Sequence, residues 1–367
     1  MTKRLFFTVT NDLVFDQRMI RICASLARAG YAVTLVGFAG RHSPPLSEQP
    51  FHQHRLKTWF NHGKRFYIEY NLRLFFFLLR QKMDGICAID LDTILPCYFL
   101  SRLRRIPRLY DAHELFCELQ EVVSRPLVYK LWKTIERYCV PRFPNGYTVN
   151  SLIAAQLCNM YGVQYAVIRN VPPLDLAPTP PATGLPAGRF ILYQGAINEG
   201  RCFETLIPAM QSVNAPLVIC GDGNFMTRAH ALVRQYGLEE KILFRGRVRP
   251  EELKTITRAA FAGITLFDRR GISNYYSLAN RFFDYIHAGI PQVTVNYPAY
   301  QEINNSCPIA VLIDEPGIRE IAEGLNRLLD NTRLYQTLVD NCRQVRLRYN
   351  WQEEEQTLIR LYQHLFN

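Results

Sequence analysis

Residues 189–210 read "RFILYQGAINEGRCFETLIPAM". A short unbroken apolar run ends at a glycine, and helical sequence opens near Arg201. A run without polar alternation suits a strand covered on both faces, so this is one β-α unit of a parallel sheet. The pattern repeats downstream in "PLVICGDG", "KILFRG" and "AGITLF", and upstream in "RLFFTV", "YAVTLVGF", "DGICAI", "IPRLY" and "NGYTVN". Alternating β and α units predict two doubly wound, Rossmann-like α/β domains. Between the two series lies Leu174–Gly188, "LDLAPTPPATGLPAG", rich in proline and glycine and read as a linker. The domains expected are residues 1–173 and 189–350.

Composition agrees. Of 367 residues, 48% are hydrophobic and 20% charged, which suits a soluble globular chain and excludes disordered and fibrous classes. The ten cysteines form no CxxC pair, so reduced thiols in a cytoplasmic protein are expected. The start, "MTKRLFFTVTNDLVF", is interrupted by polar residues and reads as a strand, not a signal peptide. The most apolar run, within "RLFFFLLR", is too short to span a bilayer.

Residues 1–174 carry 23 Lys+Arg against 12 Asp+Glu, and residues 175–367 carry 20 of each, so the first half holds the whole +11 charge. Such an excess favours an anionic partner. No nucleic-acid-binding motif accompanies it. Lys64, Arg65, Arg73, Arg80 and Lys82 surround "RFYIEYNLRLFFFLLRQK", and Arg102, Arg104, Arg105 and Arg108 lie beyond. Docking on the inner face of an anionic membrane is one expectation. A solubilising surface, with the aromatics turned to the core, is the other.

Ligands of doubly wound sheets bind at the carboxyl ends of the strands. There Gly195 lets a ligand approach the backbone, and Arg201 puts a cation at a helix start, where an anion is needed to satisfy it. "CGDGNF" (220–225) is a weak phosphate signal, and the backbone from Phe244 to Arg247, with Phe244 and Arg245 the residues singled out, either contacts a base edge or is a plain turn. In "SNYYSLANRFFDYIHAGIP" (273–291), Ser277 reads as a helix N-cap, with phosphate-binding amides near Leu278 and Asn280. Asp284 lies four residues beyond Asn280 on one face, placed to accept hydrogen bonds from a ribose diol. In the first half, "RLYDAHELF" sets Asp111, His113 and Glu114 after a strand. Asp16 and Arg18 come after the first strand and Asp90 after another. These acids either bind a hydroxyl-rich acceptor or cap helices.

Together these stretches resemble retaining glycosyltransferases of the GT-B fold, in the large family 4 group. "DQRMIRICASLARAGYAVTLVG", "YDAHELF", "VIRNVP", "LYQGAINEGR", "GDG", "SLANRFFDYIHAGIP" and "NWQEEEQTLIRLY" carry the resemblance, which covers most of the chain. It implies two Rossmann-like domains facing a cleft, with the final helix, about 351–367, packing back on the first. It implies a nucleoside-diphosphate-sugar donor on the second domain. Arg201 would meet the diphosphate, Asp284 the ribose, and His113 the transferred sugar. The acceptor would be a carbohydrate or a lipid-linked glycan. The expected reaction retains configuration and uses no metal or other cofactor, because Arg201 and a helix N-terminus would stabilise the departing phosphate. Three positions depart from the family pattern: Tyr276 replaces the first of two acids, Asp284 is shorter than the usual Glu, and Ala196 replaces a second basic residue. An epimerase on the same fold, or a non-catalytic binding subunit, are the alternatives.

Overall fold

The computed structural model describes residues 2–40, 43–178, 180 and 182–366. The chain divides into two compact units, Met1–Asn170 with Glu354–Asn367, and Val171–Glu353. Of the stretch 174–188, Thr179 and Pro181 lie outside the described residues; the rest holds no helix or strand.

The first unit is built on seven parallel strands: β1 (Arg4–Thr8), β2 (Ala32–Ala39), β3 (His52–Lys57), β4 (Gly85–Ile89), β5 (Arg108–Ala112), β6 (Asn145–Thr148) and β7 (Ala166–Val167). Their order is β3-β2-β1-β4-β5-β6-β7. β1 pairs with β2 at Leu5↔Val33 and with β4 at Leu5↔Gly85. The strand order reverses between β1 and β4. Right-handed crossovers therefore place helix Gln17–Arg28 on one face, and helices Gly63–Leu79, Ile94–Arg104 and Pro126–Cys139 on the other.

Helix Trp351–Phe366 is divided between the units, its residues from Glu354 onward belonging to the first. Leu358 and Tyr362 are fully buried. The Tyr362 ring lies 6.0 Å from Phe7, 6.2 Å from Tyr31 and 6.5 Å from Tyr147. Arg28–Glu355 (2.9 Å) and Arg169–Glu354 (3.1 Å) fix the helix at its polar edges. Each fully buried side chain of this size contributes about 1.5–3 kcal/mol.

The second unit has six parallel strands: β8 (Ile191–Gln194), β9 (Leu217–Cys220), β10 (Ile242–Gly246), β11 (Ala262–Thr265), β12 (Gln292–Val295) and β13 (Ala310–Ile313). Their order is β10-β9-β8-β11-β12-β13, so the reversal falls between β8 and β11. Apolar residues of β8, β9, β11 and β12 are buried on both faces, as their unbroken runs require. Among the described residues, no helix is long and apolar enough to cross a membrane, and all ten cysteines are free.

Candidate functional site

The reversal in the second sheet sets the loops leaving β8 and β11 beside each other. Gly195 leaves β8 at φ +121, and its N–H donates to the Cys220 carbonyl at 2.9 Å. Gly221 leaves β9 at φ +155, and a Cβ there would sit 1.8 Å from the Gly195 oxygen. The loops after β8 and β9 thus meet closer than any side chain allows.

Arg201 ends the loop from Gly195. Its guanidinium lies 4.1 Å over the Phe267 ring, and Nη1 donates to Asn274 Oδ1 at 3.3 Å. A second cation shares that ring. Arg281 is buried, 4.9 Å from Phe267 and 4.7 Å from Tyr193, and it donates to the Gln194 and Leu266 carbonyls. Two permanent positive charges therefore meet at the crest of β8 and β11.

Here the structure corrects one expectation. Ser277 does not cap the helix, which runs Asn280–Ala288 with Ala279 at its N-cap. Ser277 Oγ instead donates back to the Asn274 carbonyl at 2.8 Å, closing the turn after helix Ile272–Tyr275. Leu278 and Ala279 belong to neither helix, Ala279 is extended, and its N–H is held by the Tyr300 hydroxyl at 3.1 Å. The positive end of the helix thus lies two residues later than expected, at Asn280. Gly289, at φ +74, ends it.

Asp284 is half-buried one turn along. Gln194 Nε2 donates to Asp284 Oδ2 at 2.8 Å, and Thr257 Oγ1 donates to Gln194 Oε1 at 2.7 Å. Gln194 is buried, and sequence reasoning missed it. Its signal was a lone amide closing the apolar run "FILYQ". Phe244 packs on the His230 ring at 4.1 Å. The Arg245 side chain is committed to the Gly184 carbonyl (2.9 Å) and Glu252 (3.0 Å).

In the first unit, Asp111 is the penultimate residue of β5 and is fully buried. Arg18 (3% exposed) grips it with two hydrogen bonds of 2.9 and 3.2 Å and donates a third to the Ile168 carbonyl. Neither side chain presents to solvent. The expectation that Asp111 and Arg18 face an acceptor is therefore corrected: two residues 93 apart in sequence form a buried ion pair. The pair supports His113. Its Nε2 lies 3.1 Å from Asp111 Oδ2 and its Nδ1 3.4 Å from Asp90 Oδ2, while its backbone N–H donates to Asp90 Oδ1 at 2.9 Å. Burial opposes the imidazolium, but the Asp111 and Asp90 carboxylates outweigh it and raise the His113 pKa to about 9. With both ring nitrogens facing carboxylates, the ring is a cation at neutral pH and not a free base.

Asp90 adopts φ +50, a costly conformation for a residue with a side chain, and the Asp90 N–H donates to the Asp111 carbonyl. Asp16 is a helix cap, accepting from the Met19 N–H at 3.1 Å. Glu114 comes directly after His113 and is half-buried. Asp92 accepts from Thr10, and burial with Asp90 nearby pushes its carboxyl up to about 7. Among the described residues no group of three or more His, Cys, Asp and Glu is arranged to hold a metal ion.

Residues 184–345 match the family described as glycosyl transferases group 1. Over 181 residues, 47% of this chain, the sequence is 25% identical to an uncharacterized glycosyltransferase of Methanocaldococcus jannaschii, and the match spans 44% of that relative's length. Among solved structures, sucrose-phosphate synthase of Thermosynechococcus elongatus is similar with a TM-score of 0.85 at 17% identity over 99% of each chain. HepE of Anabaena, in complex with UDP-glucose, has a TM-score of 0.78 at 14% identity over 99% of this chain and 100% of that one. WaaG, a glycosyltransferase involved in lipopolysaccharide biosynthesis, has a TM-score of 0.72 at 16% identity over 97% and 98%. Two doubly wound parallel sheets and these likenesses define the GT-B fold, and within the second unit residues 184–345 match the glycosyl transferases group 1 family.

Proposed function

We propose that the chain is a family 4 glycosyltransferase that moves a sugar from a nucleoside-diphosphate sugar to an acceptor hydroxyl, with retention and without a metal, in the synthesis of a bacterial polysaccharide or glycolipid. The observation that carries this reading is the crest of the second sheet. There Gln194 aims the Asp284 carboxylate, one helical turn from the positive end at Asn280, and Arg201 lies over Phe267 in the adjoining loop. A diol acceptor, a helix N-terminus and a cation are what a ribose and a diphosphate need. HepE, on the same fold, binds UDP-glucose.

Negative charge grows on the departing phosphate as the glycosidic bond breaks. Arg201 and the Asn280 helix end would stabilise it, and the phosphate would take the proton of the acceptor hydroxyl. His113, held as a cation by Asp90 and Asp111, would serve the transferred sugar by position and charge, not as a base.

A thermal-shift panel of UDP, GDP, ADP and their sugars tests the donor. A ligand at about 100-fold over Kd adds about 2.7 kcal/mol of stability. Transfer assays then separate the roles. Arg201→Ala should lower kcat, because its partner charge appears in the transition state, and Asp284→Ala should mainly raise KM. Both variants keeping wild-type kcat/KM would remove the site, and loss of transfer in EDTA restored by Mg²⁺ would remove the metal-free mechanism.

A further inference from the structure

We infer that the helical layer of the first unit, formed by Gly63–Leu79, Ile94–Arg104 and Pro126–Cys139, is a docking surface for an anionic lipid bilayer. The first helix has two apolar stripes. Phe66, Tyr70, Leu74 and Leu78 are buried against the sheet, whereas Ile68, Leu72, Phe76 and Leu79 recur at the same helical spacing on the opposite side. Ile68 is 62% exposed and Phe76 53%. The second stripe has no core to serve.

The neighbouring helices continue it. Ile94–Arg104 packs beside Gly63–Leu79 and exposes Phe99 and Leu103; Pro126–Cys139 exposes Leu127, at 85%, and Leu131. The helices are tied side by side, Tyr98 to Tyr138 at 5.5 Å between ring centroids and Tyr67 to Trp132 at 5.6 Å. All three cover the same face of the sheet, so their outer sides share one direction.

Charge selects the occupant. Within residues 63–142, ten Lys and Arg are exposed, among them Arg65, Arg80, Arg102, Lys130 and Arg137, and Glu121 is the one exposed acid. Bulky apolar side chains among exposed cations match the interface of an anionic leaflet, where the apolar groups enter the acyl boundary and the cations meet phosphates. A second copy of the chain docked by two-fold symmetry would set this cation-rich layer against itself. A nucleic acid would satisfy the cations and leave the aliphatic side chains in water. The inference is independent of the reaction proposed above, so a chain inactive in transfer that still binds vesicles separates the two.

The test is co-sedimentation of the whole protein with vesicles of phosphatidylcholine alone, or of equal parts phosphatidylglycerol and phosphatidylcholine, at low and high salt. Binding is expected only to the anionic vesicles and weakens with salt. Arg65→Gln, Arg102→Gln and Lys130→Gln should each weaken it about fivefold. The combined variant Leu72→Ser, Phe76→Ser and Leu127→Ser should also lose binding, with its circular dichroism unchanged because the three side chains are exposed. Equal or absent pelleting with both vesicle types overturns the inference. So does vesicle binding that survives the triple serine variant, or a concentration-dependent dimer in sedimentation velocity that this variant abolishes.

Discussion

Replacing Arg18 with methionine keeps the volume of the side chain's stem and removes its charge. Asp111 then keeps only His113 as a charged partner, loses hydrogen bonds of 2.9 and 3.2 Å, and stays fully buried. Stripping one member from a buried ion pair costs about 3–5 kcal/mol, a large part of a typical folding stability of about 5–15 kcal/mol. The deficit should depend on pH. In the native protein burial pushes the Asp111 carboxyl up, but Arg18 and His113 overcome it and hold its pKa below the ordinary value. A depressed carboxyl gives stability that is present above its unfolded pKa of about 3.9 and is lost as pH falls through its folded pKa. In the variant burial is no longer outweighed by Arg18, so the Asp111 carboxyl takes up its proton at higher pH than in the native protein, and the deficit is greatest near neutrality and shrinks as pH falls toward about pH 4. Asp111→Asn is the control, because it leaves Arg18 charged at every accessible pH and acid brings no relief. Urea unfolding followed by Trp59 and Trp132, both in the first unit, measures this in a Trp351→Phe background. A deficit below about 1 kcal/mol at about pH 7, or one unchanged at about pH 4, would refute the reasoning.

Gly221→Ala forces a Cβ into the Gly195 oxygen and should cost about 2–4 kcal/mol, with loss of the donor-induced thermal shift. Gly237→Ala, also at positive φ but with open space around its Cβ, gives the cost of backbone strain alone; equal melting temperatures for the two would show that the loop contact does not need glycine. Gln194→Leu removes the donor that aims Asp284 and leaves Thr257 bonded to the Leu253 carbonyl. Donor affinity should fall about tenfold or more by calorimetry, with the fold intact, and an unchanged Kd would show that Asp284 needs no such support.

The fold was legible because its signal is local. Each buried strand is a short apolar run, and each helix between them shows its own periodicity. The candidate site was legible where a residue type announces its chemistry, as with Arg201 at a loop end or the Asn280–Asp284 spacing. Ser277 misled because a serine before a helical run has the same local sequence whether it caps the next helix or closes the previous turn. Only the Tyr300 hydroxyl holding the Ala279 N–H decides between them, and it is 21 residues away. Arg18 and Asp111 misled for the same reason, since their pairing depends on β1 and β5 lying in one sheet. Gln194 escaped because an amide at a strand end has no chemistry until Asp284 is brought to it. Which apolar residues of 63–79 face outward was also out of reach, since both stripes keep the helical period.

The division of helix Trp351–Phe366 bears on how the protein is made. A ribosome delivers Phe7, Tyr31 and Tyr147 early, but the Tyr362 ring that covers them comes only after the whole second unit. Roughly 180 residues intervene, which at ~5–20 residues per second is a wait on the order of 10–40 s. The second unit has no such wait, because its residues 171–353 are continuous. Biosynthesis therefore leaves the first unit with an open apolar flank while the second completes itself, and the flank closes only when residues 354–366 leave the exit tunnel.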